Sequence, residues 1–286
     1  MENVLEVSGL SKNYGSFALK NVSFQLPKGS IMGFIGENGA GKTTTLKLIL
    51  NMIKKDGGNV RVLGMDHIQQ EQRIKQQLGV VLDNCHFHEN LRPDDISSVM
   101  RNIYADWDDA LYQSYLKRFG VPDKNSIKQM SKGMKTKLSL SVALAHRPRV
   151  LLLDEATSGL DPVVRSEILD IFLDIIQDEE RSIFLSTHII SDLEKVADYV
   201  TLIKDGELVF SQSADDLKYG YGILKCGQHD FERIDRGDIE GQRRGQFGYE
   251  VLVKHPDAIR RKYPGLTVDP VHIEDIMLFY VRSDAS

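Results

Sequence analysis

The sequence predicts a mixed α/β fold followed by a small α+β unit, on three observations. Short apolar or β-branched runs alternate with helical periods over most of the first 212 residues. One stretch, about residues 84–146, breaks that alternation and is mostly helical by period. Beyond it the alternation resumes, and after residue 212 a shorter set of strands and helices reads as a separate accessory unit over 213–286. A chain of 286 residues is long enough for one large domain and one smaller one.

Taken in order, "VLEVSGL", "ALKNVSFQL" and "SIMGFIG" read as strands split by Gly, Pro, Asn and Ser. "KTTTLKLILNMI" (42–53) is a helix behind a glycine loop, and "GGNVRVLG" is a short strand between glycines. "EQRIKQQLGVVLD" is a helix running into a strand that ends at Asp83. Within the helical stretch, "DDISSVMRNIYADW", "DALYQSYLKRFGV" and "KTKLSLSVALAHR" place apolar residues three or four apart, which makes it an insertion between two strands. "RVLLLDE" is a buried-type strand, followed by the helix "PVVRSEILDIFLDIIQDEE", the strand "SIFLSTH" and the helix "ISDLEKVAD". "YVTLIKDGELVFS" is a hairpin with Asp205-Gly206 at its turn. In the second unit "YGILKCG", "YEVLVK" and "LTVD" read as strands, and "PDAIRRKY" and "HIEDIMLFYV" as helices. The polar stretch 227–248 reads as loop-rich, with its basic "RRGQ" a solvated turn.

Composition narrows the function. A net charge of −5 gives no broad attraction to nucleic acid or to an anionic membrane, local patches aside, and nucleic acid is not an expected partner. Two cysteines, Cys85 and Cys226, are no disulfide framework and point to a reducing compartment such as the cytosol. No signal peptide is expected, because "MENVLEVSGL" lacks a basic segment followed by an apolar one. No run approaches the ~20 apolar residues of a membrane-spanning helix, so any membrane crossing is expected from another subunit. "CHFH" (85–88) crowds one Cys and two His without the paired spacing of a zinc site, and reads as loop.

Three segments carry chemistry. "GENGAGKT", Gly36 to Thr43, fits G-x-x-x-x-G-K-[ST] between a strand and a helix. Gly39 and Gly41 let the backbone wrap a phosphate, and the helix start supplies N–H groups and a positive dipole end. Lys42 is placed for the β- and γ-phosphates of a nucleotide such as ATP and Thr43 for Mg²⁺. Gly36, Asn38, Ala40 and Thr44 complete the candidate nucleotide contacts. At the end of "VLLLDE", Asp154 is a candidate Mg²⁺ ligand and Glu155 a candidate general base for an attacking water. In "QMSKGMKTKL" (129–138), Ser131 and Gly133 open a helix, where a hydroxyl and a close backbone N–H can hold a phosphate; the same segment also reads as a basic, solvated helix start.

In order along residues 1 to about 212, "GENGAGKTTT", "MSKGM", "LLLDEATSGLDP" and the histidine of "FLSTHI" resemble the nucleotide-binding subunit of ATP-binding cassette (ABC) transporters. The resemblance implies a P-loop NTPase core with an antiparallel β portion near the N-terminus and a helical subdomain. It implies an ATPase that closes as a dimer, with itself or a related subunit. Ser131 and Gly133 of one copy would then cap the ATP held by the other. It assigns Asp161 to that dimer contact, His188 to sensing the γ-phosphate, Tyr14 to stacking under the adenine and Asp83 to Mg²⁺. It further implies a separate multi-spanning membrane subunit, and a place on the cytoplasmic face of the cell membrane. Phe87, Leu91, Ile96, Met100 and Tyr104 are docking candidates for that subunit; at least half of them read more readily as the insertion's own core.

Two motifs depart from the pattern. Lys132 and Met134 replace a Gly and a Gln of the usual signature, and Asp83 stands where a Gln is usual. The Ser-x-Gly-Met-Lys form resembles ATPases of ABC-2 type exporters for drugs, lantibiotics and small peptides. An importer ATPase, a soluble ABC ATPase without a membrane partner, and a nucleotide-binding module without turnover are the rival readings.

Overall fold

The structure, a computed structural model, describes residues 2–245 and 248–282. It divides into two compact units, residues 1–208 and 209–286. The sequence reading draws the boundary at 212, inside the strand that crosses between them.

The first unit opens with β1 (Asn3–Asn13) and β2 (Ala18–Pro27), then β3 (Ile31–Ile35) and α1 (Lys42–Ile49). β4 (Gly57–Val62), β5 (Met65–Asp66), α2 (Glu71–Lys75) and β6 (Leu78–Val81) follow. The insertion holds α3 (Pro93–Met100), α4 (Asp109–Arg118), a short 3-10 turn at Ile127–Gln129 and α5 (Lys132–Leu144). β7 (Val150–Asp154), α6 (Pro162–Ile176), β8 (Ser182–Thr187), α7 (Ile190–Val196), β9 (Tyr199–Lys204) and β10 (Glu207–Ser213) complete it.

Two sheets result. The antiparallel one has strand order β2-β1-β4-β5, and the six-stranded one β10-β9-β3-β8-β7-β6. The strands β9, β3, β8, β7 and β6 run parallel to one another. The central β3, β7 and β8 are buried at every position, as a parallel strand covered on both faces must be. Phe24 of β2 meets Phe34 of β3 and Phe184 of β8 at ring-centroid distances of 5.3 and 5.7 Å, so one aromatic cluster joins the two sheets. At the β9–β10 turn Asp205 and Gly206 both have positive φ, 49° and 78°, and a Cβ on Gly206 would lie 1.9 Å from the Ala18 carbonyl oxygen. Only glycine fits there. Parallel alignment puts the ends of β3, β6, β7 and β8 along one edge, and every segment singled out for chemistry follows one of those ends, except that at 129–138.

The second unit is an antiparallel sheet, β12-β13-β11-β14, with helices beside it. Its elements are α8 (Ala214–Gly220), β11 (Tyr221–Cys226), α9 (Gln228–Phe231), β12 (Gly241–Gly245), β13 (Gly248–Lys254), α10 (Pro256–Lys262), β14 (Thr267–Asp269) and α11 (Ile273–Arg282). The loop-rich stretch 227–248 carries α9 and β12, and one reading within it is corrected. Arg243 and Arg244 lie in a strand paired with β13, not in a solvated turn; Gln246 of "RRGQ" lies outside the described residues. The strand carries no hydrophobic alternation to betray it. Charge holds it instead: Arg243 Nε lies 2.6 Å from Glu250 and its Nη2 3.3 Å from Asp275. The short α8 also went unread; its start is capped by Ser213, whose Oγ accepts from the Asp216 N–H at 3.0 Å.

Candidate functional site

The glycine loop after β3 folds around its own lysine. Lys42 is only 6% exposed, and its ammonium donates to the carbonyls of Gly36 at 2.8 Å and Glu37 at 3.1 Å. Gly41, at φ 113°, turns the chain into α1, whose first turn has no acidic side chain to compete for an anion. The hydroxyl of Thr43 donates to Asp154 Oδ2 at 2.9 Å, and the other Asp154 oxygen accepts from Ser186 Oγ at 2.6 Å. A neutral hydroxyl and a buried carboxylate are thus held side by side, two hard oxygen donors of the kind Mg²⁺ takes.

Glu155 begins the loop after β7 in a left-handed conformation, φ 51°. One of its oxygens lies 3.4 Å from Lys42 Nζ and the other 2.7 Å from His188 Nδ1. These groups border an open cleft of about 540 Å³. Of the residues expected to contact nucleotide or metal, Asn38, Gly39, Gly41, Lys42, Thr43, Thr44, Asp83, Glu155 and His188 line it. Asp154 reaches it through Thr43, while Gly36 and Ala40 are buried inside the loop.

The structure does not bring every expected residue to this cleft. Ser131 Oγ accepts from the Met134 N–H at 3.2 Å and so caps α5. Gly133 packs against Val164 so closely that a Cβ would come within 2.6 Å of a Val164 methyl. Asp161 caps α6 by accepting from the N–H groups of Val163 and Val164, at 3.2 and 3.1 Å. Tyr14 is half exposed beside Lys12, and the aromatic ring that lines the cleft is that of Phe17, three residues on. Phe17 and Ser158 line the cleft and escaped sequence reasoning. For Ser158 a signal existed, its place three residues after Glu155 in "DEATSG".

The two departures meet each other. Lys132 Nζ lies 3.8 Å from Asp83 Oδ1, and the lysine stem runs past Gly159. Of the docking candidates on the insertion, Ile96 belongs to the buried core, whereas the neighbouring Val99 and Ile103 are exposed. Among the described residues no helix is long and apolar enough to cross a membrane.

The profile of the family described as "ABC transporter" matches residues 19–158. The ABC transporter ATP-binding protein YtrB of Bacillus subtilis is 31% identical over 76% of this chain and 75% of its own. The chain belongs to the ABC transporter family. The bacitracin transport ATP-binding protein BcrA of Bacillus licheniformis is 30% identical over 76% of this chain and 72% of its own. The lantibiotic transport ATP-binding protein SrtF of Streptococcus pyogenes is 30% identical over 74% and 92%. A solved structure of an ATP-binding subunit of an ABC transporter superposes with a TM-score of 0.66 at 24% identity, over 75% of this chain and 92% of that one; it supports the fold. As an ABC ATPase subunit the chain binds ATP and hydrolyses it to power transport.

Proposed function

We propose that this chain drives export of a peptide antibiotic, drug or similar amphipathic compound through a separate multi-spanning membrane subunit, from the cytoplasmic face of the membrane. One observation carries the mechanism: Lys42, Thr43, Asp154, Glu155 and His188 converge on one cleft from three strand ends. The cargo class rests on the likeness to BcrA and SrtF, whose names carry bacitracin and lantibiotic transport.

In this reading the backbone N–H groups at the start of α1 and the ammonium of Lys42 hold the β- and γ-phosphates. Thr43 and Asp154, with Asp83 at the rim, would hold Mg²⁺, which would neutralise charge on the phosphate oxygens. Lys42 now shares its charge between two carbonyls and Glu155. A triphosphate offers that ammonium a stronger partner, which releases Glu155 to take a proton from the attacking water. His188 orients the carboxylate through their 2.7 Å contact. Phe17, which lines the cleft, supplies aromatic surface for the base. Ser131, Gly133 and Asp161 lie at the starts of α5 and α6, away from the cleft lining, and serve the site of a second ATPase subunit.

The test is affinity capture of the tagged chain from detergent-solubilised native membranes, with mass identification of what is bound. A stoichiometric multi-spanning protein is expected. Recovery from the soluble fraction alone, or with ribosomes, overturns the export reading.

A further inference from the structure

The two loops that carry Glu155 and His188 are joined twice. One join is the direct contact between the two side chains. The other is Asp192 of α7, whose carboxylate is 1% exposed. Its Oδ2 accepts from Thr157 Oγ1 at 2.6 Å and its Oδ1 from Arg165 Nε at 2.6 Å. Arg165 in turn donates through Nη2 to Ser191 Oγ at 2.8 Å. Thr157 is fully buried and stands two residues after Glu155; Arg165 lies on the first turn of α6, its N–H bonded to the Asp161 carbonyl. One buried carboxylate therefore ties together the loop 155–161, the start of α6 and the helix that follows His188.

A buried carboxylate is costly unless its oxygens are fully partnered, and a fully partnered one permits few alternative arrangements. Glu155 needs such a constraint. A non-glycine residue at φ 51° is strained and persists only where its surroundings over-determine it. None of Asp192, Arg165 and Thr157 lines the cleft. We infer that Asp192, acting through Thr157 and Arg165, is a positioning residue that holds Glu155 and His188 in register for water activation. The inference rests on the reading of Glu155 as general base.

The experiment uses the full chain with three measurements: turnover, affinity for ATP, and thermal unfolding. Asp192→Asn keeps the shape and removes the charge, and should lower kcat by about 10- to 100-fold. Thr157→Val is close in volume and leaves the Asp192–Arg165 pair intact; it should lower kcat by roughly tenfold. In both, the dissociation constant for ATP should stay within about twofold, because Lys42 and its loop lie on other elements. If Asp192→Asn does not fold, Thr157→Val carries the test. Combined with Glu155→Gln under single-turnover conditions, Thr157→Val should cost nothing further, since it acts through Glu155. Unchanged kcat in folded Thr157→Val, or losses that multiply in the double variant, would overturn the inference. A Glu155→Gln variant that keeps its turnover would instead overturn the general-base assignment, so the two failures are distinguishable.

Discussion

The two units bury different things. Every buried polar side chain among the described residues lies between Ser30 and Thr201, in the first unit, and the set includes Lys42, Asp154 and Asp192. In the second unit the described core is apolar, built from residues such as Leu224, Val251 and Val253. Its charges pair at or near the surface, as Lys262 does with Asp235 and Asp238. Burying a charge costs free energy that a stability-driven fold avoids. A unit that retains several, each with its partners, does so where chemistry requires them. The comparison separates a unit that buries charged groups from one that keeps its charges at the surface.

The largest expected effect that sharpens this contrast is on turnover. Glu155→Gln should reduce ATP hydrolysis by about 10²–10⁴ while ATP binding persists. A phosphate-release assay giving a rate within tenfold of the parent would contradict the role. Next is packing in the second unit. Leu252 is fully buried in β13, and Leu252→Ala should destabilise that unit by about 2–5 kcal/mol. Denaturant unfolding measures the loss; turnover per folded molecule should hardly move, and a fall comparable to that of Glu155→Gln would break the division of labour.

Acid should act first on the first unit. Burial holds the pKa values of His67 and His146 below the ordinary 6.5, so both are neutral when folded. The unfolded chain takes up their protons first as pH falls. Stability is therefore present above 6.5 and declines as pH drops from there towards the folded values, by at most about 1.4 kcal/mol per pH unit for each histidine. Unfolding midpoints between pH 7.5 and 5.5 check this, and His67 and His146 variants should flatten the slope. The smallest effect belongs to the half-exposed Asp83–Lys132 pair at the cleft rim. Neutralising Asp83 and Lys132 singly and together should reveal a coupling of at most about 1 kcal/mol in ATP affinity, weakening with salt.

Legibility followed the kind of interaction. The strands, the helical insertion and the loop "GENGAGKT" announce themselves through periodicity and local backbone demands. So do Asp154 and Glu155, because a polar pair closing an apolar strand is an anomaly along the chain. Ser186, inside the apolar strand "SIFLSTH", was a similar anomaly; its hydroxyl proves to hold Asp154. Phe17 gave no such sign, being one more aromatic in a strand-rich region. The strand with Arg243 and Arg244 hid because cross-strand charge, not hydrophobic alternation, stabilises it.

The sequence by itself determined the local pattern: a glycine loop between a strand and a helix, an Asp-Glu pair closing an apolar strand, and a histidine at the next strand's end. Those depend on residue type and short spacing, which the chain carries explicitly. Only the tertiary structure decided that Glu155 meets both Lys42 and His188, that Asp83 faces Lys132, and that Asp192 binds Thr157 and Arg165. These contacts join residues 27 to 113 positions apart. Parallel strand order, not adjacency in the chain, sets which ends become neighbours.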